Sequence, residues 1–331
     1  MMPIVGMLGE GAWGTAIANL LAENGCVVYL WCYNPNIVTE IQDHRTNHCY
    51  ARGTLIHKRI IPTSSLKTIF EKSEFVFEAI PVKYLRSVVA QAKLYATPKQ
   101  TWIILSKGIE CETALMPNQI VDDALGFSVA KAALLGPSFA QDLSAHDFTA
   151  FDLAVKDRRL GDTIAHLIRN EYVAVHLTTD LIGVQLCSAL KNVIALGVGM
   201  LSGAGYGDNS RSALITLALH EVAVLVEALG GQRTSVYGLA GVGDLILTAT
   251  GKSSRNLEVG QQLGRGKTLE NILKETGYIP EAINTINALP FLFLSTQLKI
   301  SLLVTISAVA LGKASIETLI EHMKKKYSCL L

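Results

Sequence analysis

The chain opens on Ile4-Val5-Gly6-Met7-Leu8, an uncharged apolar run of strand length. Thr15 to Ala22 reads as a helix that stops near Asn24-Gly25, and Val27 to Trp31 is a second apolar run directly after it. The alternation continues. Phe75 to Ile80 predicts a strand closed by Pro81, Lys83 to Ala92 a helix, and Thr101 to Ser106 a buried strand. Thr113 to Leu125 reads as mainly helical. Ala132 to Leu135, Phe151 to Val155 and Tyr172 to His176 read as strands, with a helix around Thr163 to Asn170 between the last two. This spacing predicts an α/β fold built on a doubly wound, mainly parallel sheet, with helices on both faces and right-handed connections. Near Thr178-Thr179-Asp180 the character changes. Leu181 to Met200 is one long apolar helix, and Asn209 to Leu229 is another, opened by Asp208 or Asn209 and closed by Gly230-Gly231. No convincing parallel strand follows before the last third. The domain division is therefore placed at residue 180, giving residues 1–180 and 181–331.

Between the first strand and the first helix stand Gly9, Gly11 and Gly14, in the spacing G-x-G-x-x-G. Inside a compact βαβ unit this spacing points to a Rossmann-like dinucleotide site. Glycine lets the backbone turn tightly and approach a pyrophosphate, and the helix N-terminus offers unpaired N–H groups and partial positive charge. A turn selected for packing alone is the competing reading, and the flanking strand and helix weigh against it. The second strand ends in Cys32-Tyr33-Asn34. It lacks both the carboxylate that usually binds a ribose 2′-OH and the guanidinium that accommodates a 2′-phosphate. At this position the sequence is silent on NAD versus NADP.

Composition narrows the picture further. With 331 residues, half of them hydrophobic, the chain can bury two cores. A net charge of +1 argues against a general nucleic-acid binder. The six cysteines at 26, 32, 49, 111, 187 and 329 show no metal-ligand spacing and no disulfide framework, which fits reduced thiols in the cytoplasm. No basic n-region precedes the first apolar run, so no signal peptide is expected. Ile300 to Gly312 is the most membrane-like stretch, but it is too short to span, and a buried helix or strand is expected there, with no stable membrane insertion. Lys324-Lys325-Lys326 reads as a solvated helix end.

Candidate chemistry gathers where strands end and where charge interrupts apolar helix. Lys107 follows one strand, and Gly136-Pro137-Ser138 follows another; in open α/β sheets ligands bind at such ends. An ordinary loop lysine is the alternative for Lys107. Lys191 sits in QLCSALKNVIALGVGM, where nearly every neighbour is apolar. Such a lysine snorkels, pairs or works, and desolvation would lower its pKa toward proton transfer. Gly197 to Ala213 reads as a tight, glycine-rich connection between long helices. Gly238 to Asn256 supplies Asp244 and then Ser254-Arg255-Asn256 just before a helical stretch. That run suits a phosphate cradle or simple helix capping. No G-x-S-x-G elbow occurs and the cysteines show no metal-ligand spacing, so hydrolase and metalloenzyme readings lack support.

Taken together, LSKGIE, LLGPSFA, ALKNVIALGVGM, GYGDNSRSALIT and GLAGVGDLILTATGKSSRNLEVGQQLGRG resemble NAD(P)-dependent glycerol-3-phosphate dehydrogenase of the bacterial type. The likeness runs from GEGAWGTAIA to Glu281. It implies a Rossmann-like N-terminal domain, an all-α C-terminal domain, and NAD or NADP as cofactor. The reaction it implies is the reversible reduction of dihydroxyacetone phosphate to sn-glycerol 3-phosphate, supplying phospholipid synthesis, in a cytoplasmic homodimer. By the same resemblance Lys191 is proton donor and acceptor. Lys107, Gly136, Ser138, Lys191, Asp244, Ser254, Arg255 and Asn256 bind substrate. Gly9, Gly11, Ala12, Trp13, Gly14, Tyr33, Lys107, Ala140, Arg255, Ile279 and Glu281 bind cofactor. No metal is implied. Tyr33 stands where the family often carries a basic residue, Ala51-Arg52 where a Leu-Pro pair is common, and Ala282 where a glycine is usual. A related dehydrogenase of another hydroxy acid or sugar phosphate is one alternative, which Ser254-Arg255-Asn256 weakens. A non-catalytic dinucleotide sensor is another, which the retention of Lys107, Lys191 and Asp244 weakens.

Overall fold

The computed structural model describes residues 2–251, 253–296 and 302–329, without the side chains of 295, 296, 328 and 329. The chain divides into two compact units. The first takes residues 1–106 and 117–181, and the second takes 107–116 and 182–331. The short piece 107–116 thus belongs with the C-terminal unit, although a linear division at residue 180 leaves it in the N-terminal one.

The first unit holds a sheet of eight strands among the described residues: β1 (Ile4–Leu8), β2 (Val27–Trp31), β3 (Ile60–Thr63), β4 (Phe75–Glu78), β5 (Thr101–Ile104), β6 (Ala130–Leu135), β7 (Thr149–Val155) and β8 (Val173–Thr178). Their order is β3-β2-β1-β4-β5-β6-β7-β8. The order reverses between β1 and β4, where Leu8 sits beside Glu78. All neighbours are parallel except β6 and β7, which pair antiparallel. Strands β1, β5 and the inner half of β6 are nearly continuous apolar runs because helices cover both faces. The edge strand β3 is absent from the sequence-level reading because Pro62 interrupts its apolar run. Proline cannot donate to a ladder, and an edge position tolerates that. Helix α1 (Ala12–Glu23) buries Ile17, Leu20 and Leu21 in the core of this unit. Asn24 ends it and donates to the Leu167 and Ile168 carbonyls at 2.9 Å each.

The second unit is helical. Helix α2 (Leu181–Gly203) carries Lys191, and α3 (Asp208–Ala228) follows a short turn. Of the glycines expected to form a tight connection, Gly205 and Gly207 fall in the turn after α2, while Gly197, Gly199 and Gly203 lie instead inside it. Their role is close packing. A Cβ on Gly199 would stand 2.3 Å from the Leu257 carbonyl oxygen, and one on Gly203 would stand 2.1 Å from that of Gln261. Both acceptors belong to α5 (Arg255–Gly264), which follows α4 (Asp244–Thr250). The contact is reciprocal, because a Cβ on Gly260 would stand 2.2 Å from the Leu196 oxygen and one on Gly264 would stand 2.1 Å from the Met200 oxygen. Two G-x-x-x-G faces bring these backbones together as small-residue helix contacts do.

The apolar C-terminal stretch is core. Leu302, Leu303, Ile306, Val309 and Ala310 of the helix Leu302–Ala310 pack with α2 and α3 residues. The buried Glu221 accepts from the Leu302 and Leu303 amides at 3.0 and 3.1 Å and pairs with Lys326. A carboxylate at that helix N-terminus satisfies donors that would otherwise be orphaned. Ile300, part of the stretch read as membrane-like, and the Cys329 thiol lie outside what is described. α2 is long and apolar enough to cross a membrane, yet its most apolar window is 94% buried inside the protein.

Candidate active site

In the first unit the glycine turn meets the requirements of a pyrophosphate. Gly9 has φ +111°, a left-handed conformation that glycine adopts without strain. A Cβ on Gly14 would stand 2.1 Å from the Gly9 carbonyl oxygen, so the third glycine sets how closely helix and turn pack. A Cβ on Gly11, by contrast, would meet nothing within 4 Å. That space lies at the N-terminus of α1, which has no side-chain cap. The Trp13 Nε1 group nearby is buried with no hydrogen-bond partner among the described residues. Open space beside uncapped N–H groups fits a dinucleotide phosphate. At the next strand end the Glu78 carboxylate accepts from the Ile80 amide at 2.6 Å and from Ser106 Oγ at 2.7 Å. It thereby ties the end of β4 to the residue before Lys107, and burial pushes its carboxyl up to about 7.

In the second unit a charge cluster is built on α2 and α4. Lys191 is only 7% exposed. Its Nζ donates to Asp244 Oδ1 and to Thr248 Oγ1, each at 2.6 Å. The other carboxylate oxygen of Asp244 accepts from Lys107 Nζ at 2.7 Å. Asp244 and Thr248 are one helical turn apart, so both face Lys191. A five-residue π-helical turn, Leu239–Gly243, leads into α4. Burial pushes the Lys191 amine down to about 8, opposed by the negative charge of Asp244 and assisted by the positive charge of Lys107. Two ammonium groups around one buried carboxylate leave net positive charge, an environment suited to an oxygen on which negative charge develops.

A chain of amides extends the cluster. Asn192 Nδ2 donates to Glu281 Oε2 at 3.0 Å, and Asn192 Oδ1 accepts from Asn256 Nδ2 at 3.0 Å. Asn256 Oδ1 in turn accepts from the Ala282 amide at 3.2 Å. These contacts link α2, α5 and α6 (Glu281–Thr296). The helix-capping reading of Ser254 holds for its hydroxyl, which accepts from the Leu257 amide at 3.2 Å. Arg255 lies exposed, 5.0 Å over the Tyr278 ring.

The structure thus brings Lys107, Lys191 and Asp244 together, and Asn256 with Glu281 through Asn192. Ile279 is exposed in the turn before α6. Gly9, Gly11, Ala12, Trp13 and Gly14 form the turn of the first unit, and Tyr33 is 79% exposed at the end of β2. Gly136 follows β6, where a Cβ would stand 2.8 Å from the Ala150 oxygen. Ser138 Oγ donates back to the Gly136 carbonyl at 3.0 Å, and Ala140 opens the helix Ala140–Ser144. Sequence reasoning missed Thr248, Asn192, Glu10 and Glu78. Thr248 was recoverable from its i+4 spacing to Asp244, whereas Asn192 adjoins Lys191 without any distinguishing pattern. A cavity of about 510 Å³ elsewhere in the second unit is lined by Arg211, Ser212 and Ser254 among others, but not by Lys191 or Asp244. The hydrogen-bonded cluster, rather than that cavity, is taken as the chemical centre.

A doubly wound sheet with a G-x-G-x-x-G turn after its first strand, joined in one chain to a helical unit that buries a lysine of lowered pKa, defines an NAD(P)-dependent oxidoreductase. Residues 4–161 match the family described as NAD-dependent glycerol-3-phosphate dehydrogenase N-terminus, and residues 180–321 match its C-terminus counterpart. The glycerol-3-phosphate dehydrogenase [NAD(P)+] of Staphylococcus haemolyticus is 36% identical over 289 residues, 87% of each chain. That of Lactiplantibacillus plantarum is 35% identical over 331 residues, 98% of each. The chain belongs to the NAD-dependent glycerol-3-phosphate dehydrogenase family. The crystal structure of glycerol-3-phosphate dehydrogenase from Coxiella burnetii superposes with a TM-score of 0.91 at 28% identity, covering 97% of this chain and 98% of that one.

Proposed function

We propose that this chain catalyses the reversible reduction of dihydroxyacetone phosphate to sn-glycerol 3-phosphate. The observation that carries this reading is the buried Lys191, hydrogen-bonded to Asp244 and Thr248 and lowered to a pKa of about 8. When bound, a reduced nicotinamide would supply a hydride to C2 of the substrate. As the carbonyl π bond breaks, negative charge collects on its oxygen, and the Lys191 ammonium stabilises that charge and then gives up a proton to it. In the reverse direction the neutral amine takes the hydroxyl proton. Asp244 fixes the amine in place and, with Lys107, sets the local charge. Arg255 and the N-terminal amides of α5 are suited to the substrate phosphate, with Asn256 positioned by Asn192. Gly136 and Ser138 complete the substrate set. To the dinucleotide we assign Gly9, Gly11, Ala12, Trp13 and Gly14 and, as the family resemblance implies, Tyr33, Ala140, Ile279 and Glu281.

We propose further, as the resemblance implies, a cytoplasmic homodimer that supplies glycerophospholipid synthesis. Following the reduced-nicotinamide absorbance with dihydroxyacetone phosphate tests the reading. Rapid oxidation is expected. Oxidation only with other ketones would replace the substrate, and dinucleotide binding without turnover would replace the enzyme by a sensor.

A further inference from the structure

The end of β2 is where a dinucleotide-binding sheet meets the adenosine ribose, and where NAD is told from NADP. The residues there, Cys32, Tyr33 and Asn34, bring no charge. The structure brings one from elsewhere. Glu10, between the first two glycines of the turn, is only 8% exposed. Its Oε2 accepts from the Tyr33 amide at 3.1 Å and its Oε1 from the Asn34 amide at 3.2 Å. The backbone of Glu10 is pinned so that the side chain reaches that far. Its carbonyl accepts from the fully buried Asn47 Nδ2 at 2.8 Å and from Thr15 Oγ1 at 3.1 Å, while the Gly9 amide donates to the Trp31 carbonyl at 3.1 Å.

From this geometry we infer that Glu10 is the specificity-determining carboxylate of the cofactor site, and that it selects NAD over NADP. A 2′-phosphate at this strand end needs N–H donors and a cation. Both backbone donors are already taken by a carboxylate. The guanidinium groups nearest in sequence donate elsewhere: Arg45 to the His57 and Ile60 carbonyls, and Arg52 to that of His48. A dianionic phosphate would therefore meet a fixed like charge, whereas a ribose hydroxyl would meet an acceptor with lone pairs to spare. The field of Glu10 is felt at the strand end itself. The Cys32 thiol is pushed up to about 12, first by burial and then by the Glu10 charge.

The assignment deepens the dehydrogenase reading and depends on it for a dinucleotide to hold. Titration calorimetry of the full chain with NADH and with NADPH tests it without turnover. The wild type is expected to bind NADH at least about tenfold more tightly, and Glu10→Gln to narrow that ratio about tenfold, chiefly by tightening NADPH. Glu10→Ser, with a shorter neutral side chain, should move the ratio the same way, and so guards against one variant misfolding. Tighter NADPH than NADH binding by the wild type, or a ratio unchanged in both variants, overturns the assignment alone. Binding of neither dinucleotide overturns it together with the dehydrogenase reading.

Discussion

Lys191 is short of water and not short of partners. The amine is nearly enclosed, and its two acceptors, Asp244 and Thr248, hold it without fully restoring the charge that burial disfavours. An amine with a pKa near 8 is mostly protonated at neutral pH and mostly neutral two units higher. The sign of the pH dependence follows for each direction. Reduction needs the ammonium, so its kcat/KM should fall as pH rises through about 8, whereas oxidation needs the free amine and should rise over the same range. Stopped-flow rates in both directions across pH 6 to about 10 check this; two limbs of the same sign would remove Lys191 as the proton carrier. Lys191→Met should lower the chemical step by about 10²–10⁴-fold and leave dinucleotide affinity nearly unchanged. Much of this was legible in the sequence, because a single cation among apolar residues has few explanations. Thr248 and Asn192 were not singled out, since a threonine and an asparagine are ordinary in helices until tertiary packing aims them at something. Glu10 was illegible for a related reason. Its partner amides stand more than twenty positions downstream, and only the turn geometry brings them within reach.

Helices α2 and α5 show how an element can position a site without touching the chemistry. Their facing glycines let the backbones approach, and that approach brings Asn256 to Asn192, the neighbour of Lys191. Gly260→Ala should force the helices apart, costing about 1–3 kcal/mol by overpacking and raising KM for the phosphate substrate more than for the dinucleotide. Gly207→Ala is the control, because a Cβ there meets nothing within 4 Å and its φ is −79°. Thermal melts and KM values of the two variants separate the outcomes; equal behaviour would mean the glycine contact carries no weight. At this scale the sequence was read well where periodicity was strong, as in α1, β1, β5 and α2. It misled where glycine was taken as a breaker rather than a packing surface, and where Pro62 hid an edge strand. Both errors share a cause: local propensity was outweighed by contacts that only the folded chain supplies.

At the scale of the whole molecule, the family and the two-part organisation were visible from ordered motifs, but the ownership of residues 107–116 was not. Ile109 and Met116 are buried in the core of the second unit, though flanked in sequence by strands and helices of the first. A fragment of residues 182–331 therefore lacks part of its own core, and one of residues 1–181 carries apolar side chains with nowhere to go. Each fragment expressed alone should lose the cooperative melt of the full chain and tend to aggregate. A 182–331 fragment melting as sharply as the intact protein would show that the inserted piece is dispensable.

The path of the backbone, passing between units at 106–107, 116–117 and 181–182, also bears on heredity. A single crossover at residue 181 would separate Lys107, covalently tethered to β5, from the α4 carboxylate with which it pairs. Moving either unit whole into another protein therefore takes three cuts in the gene, at 106–107, 116–117 and 181–182.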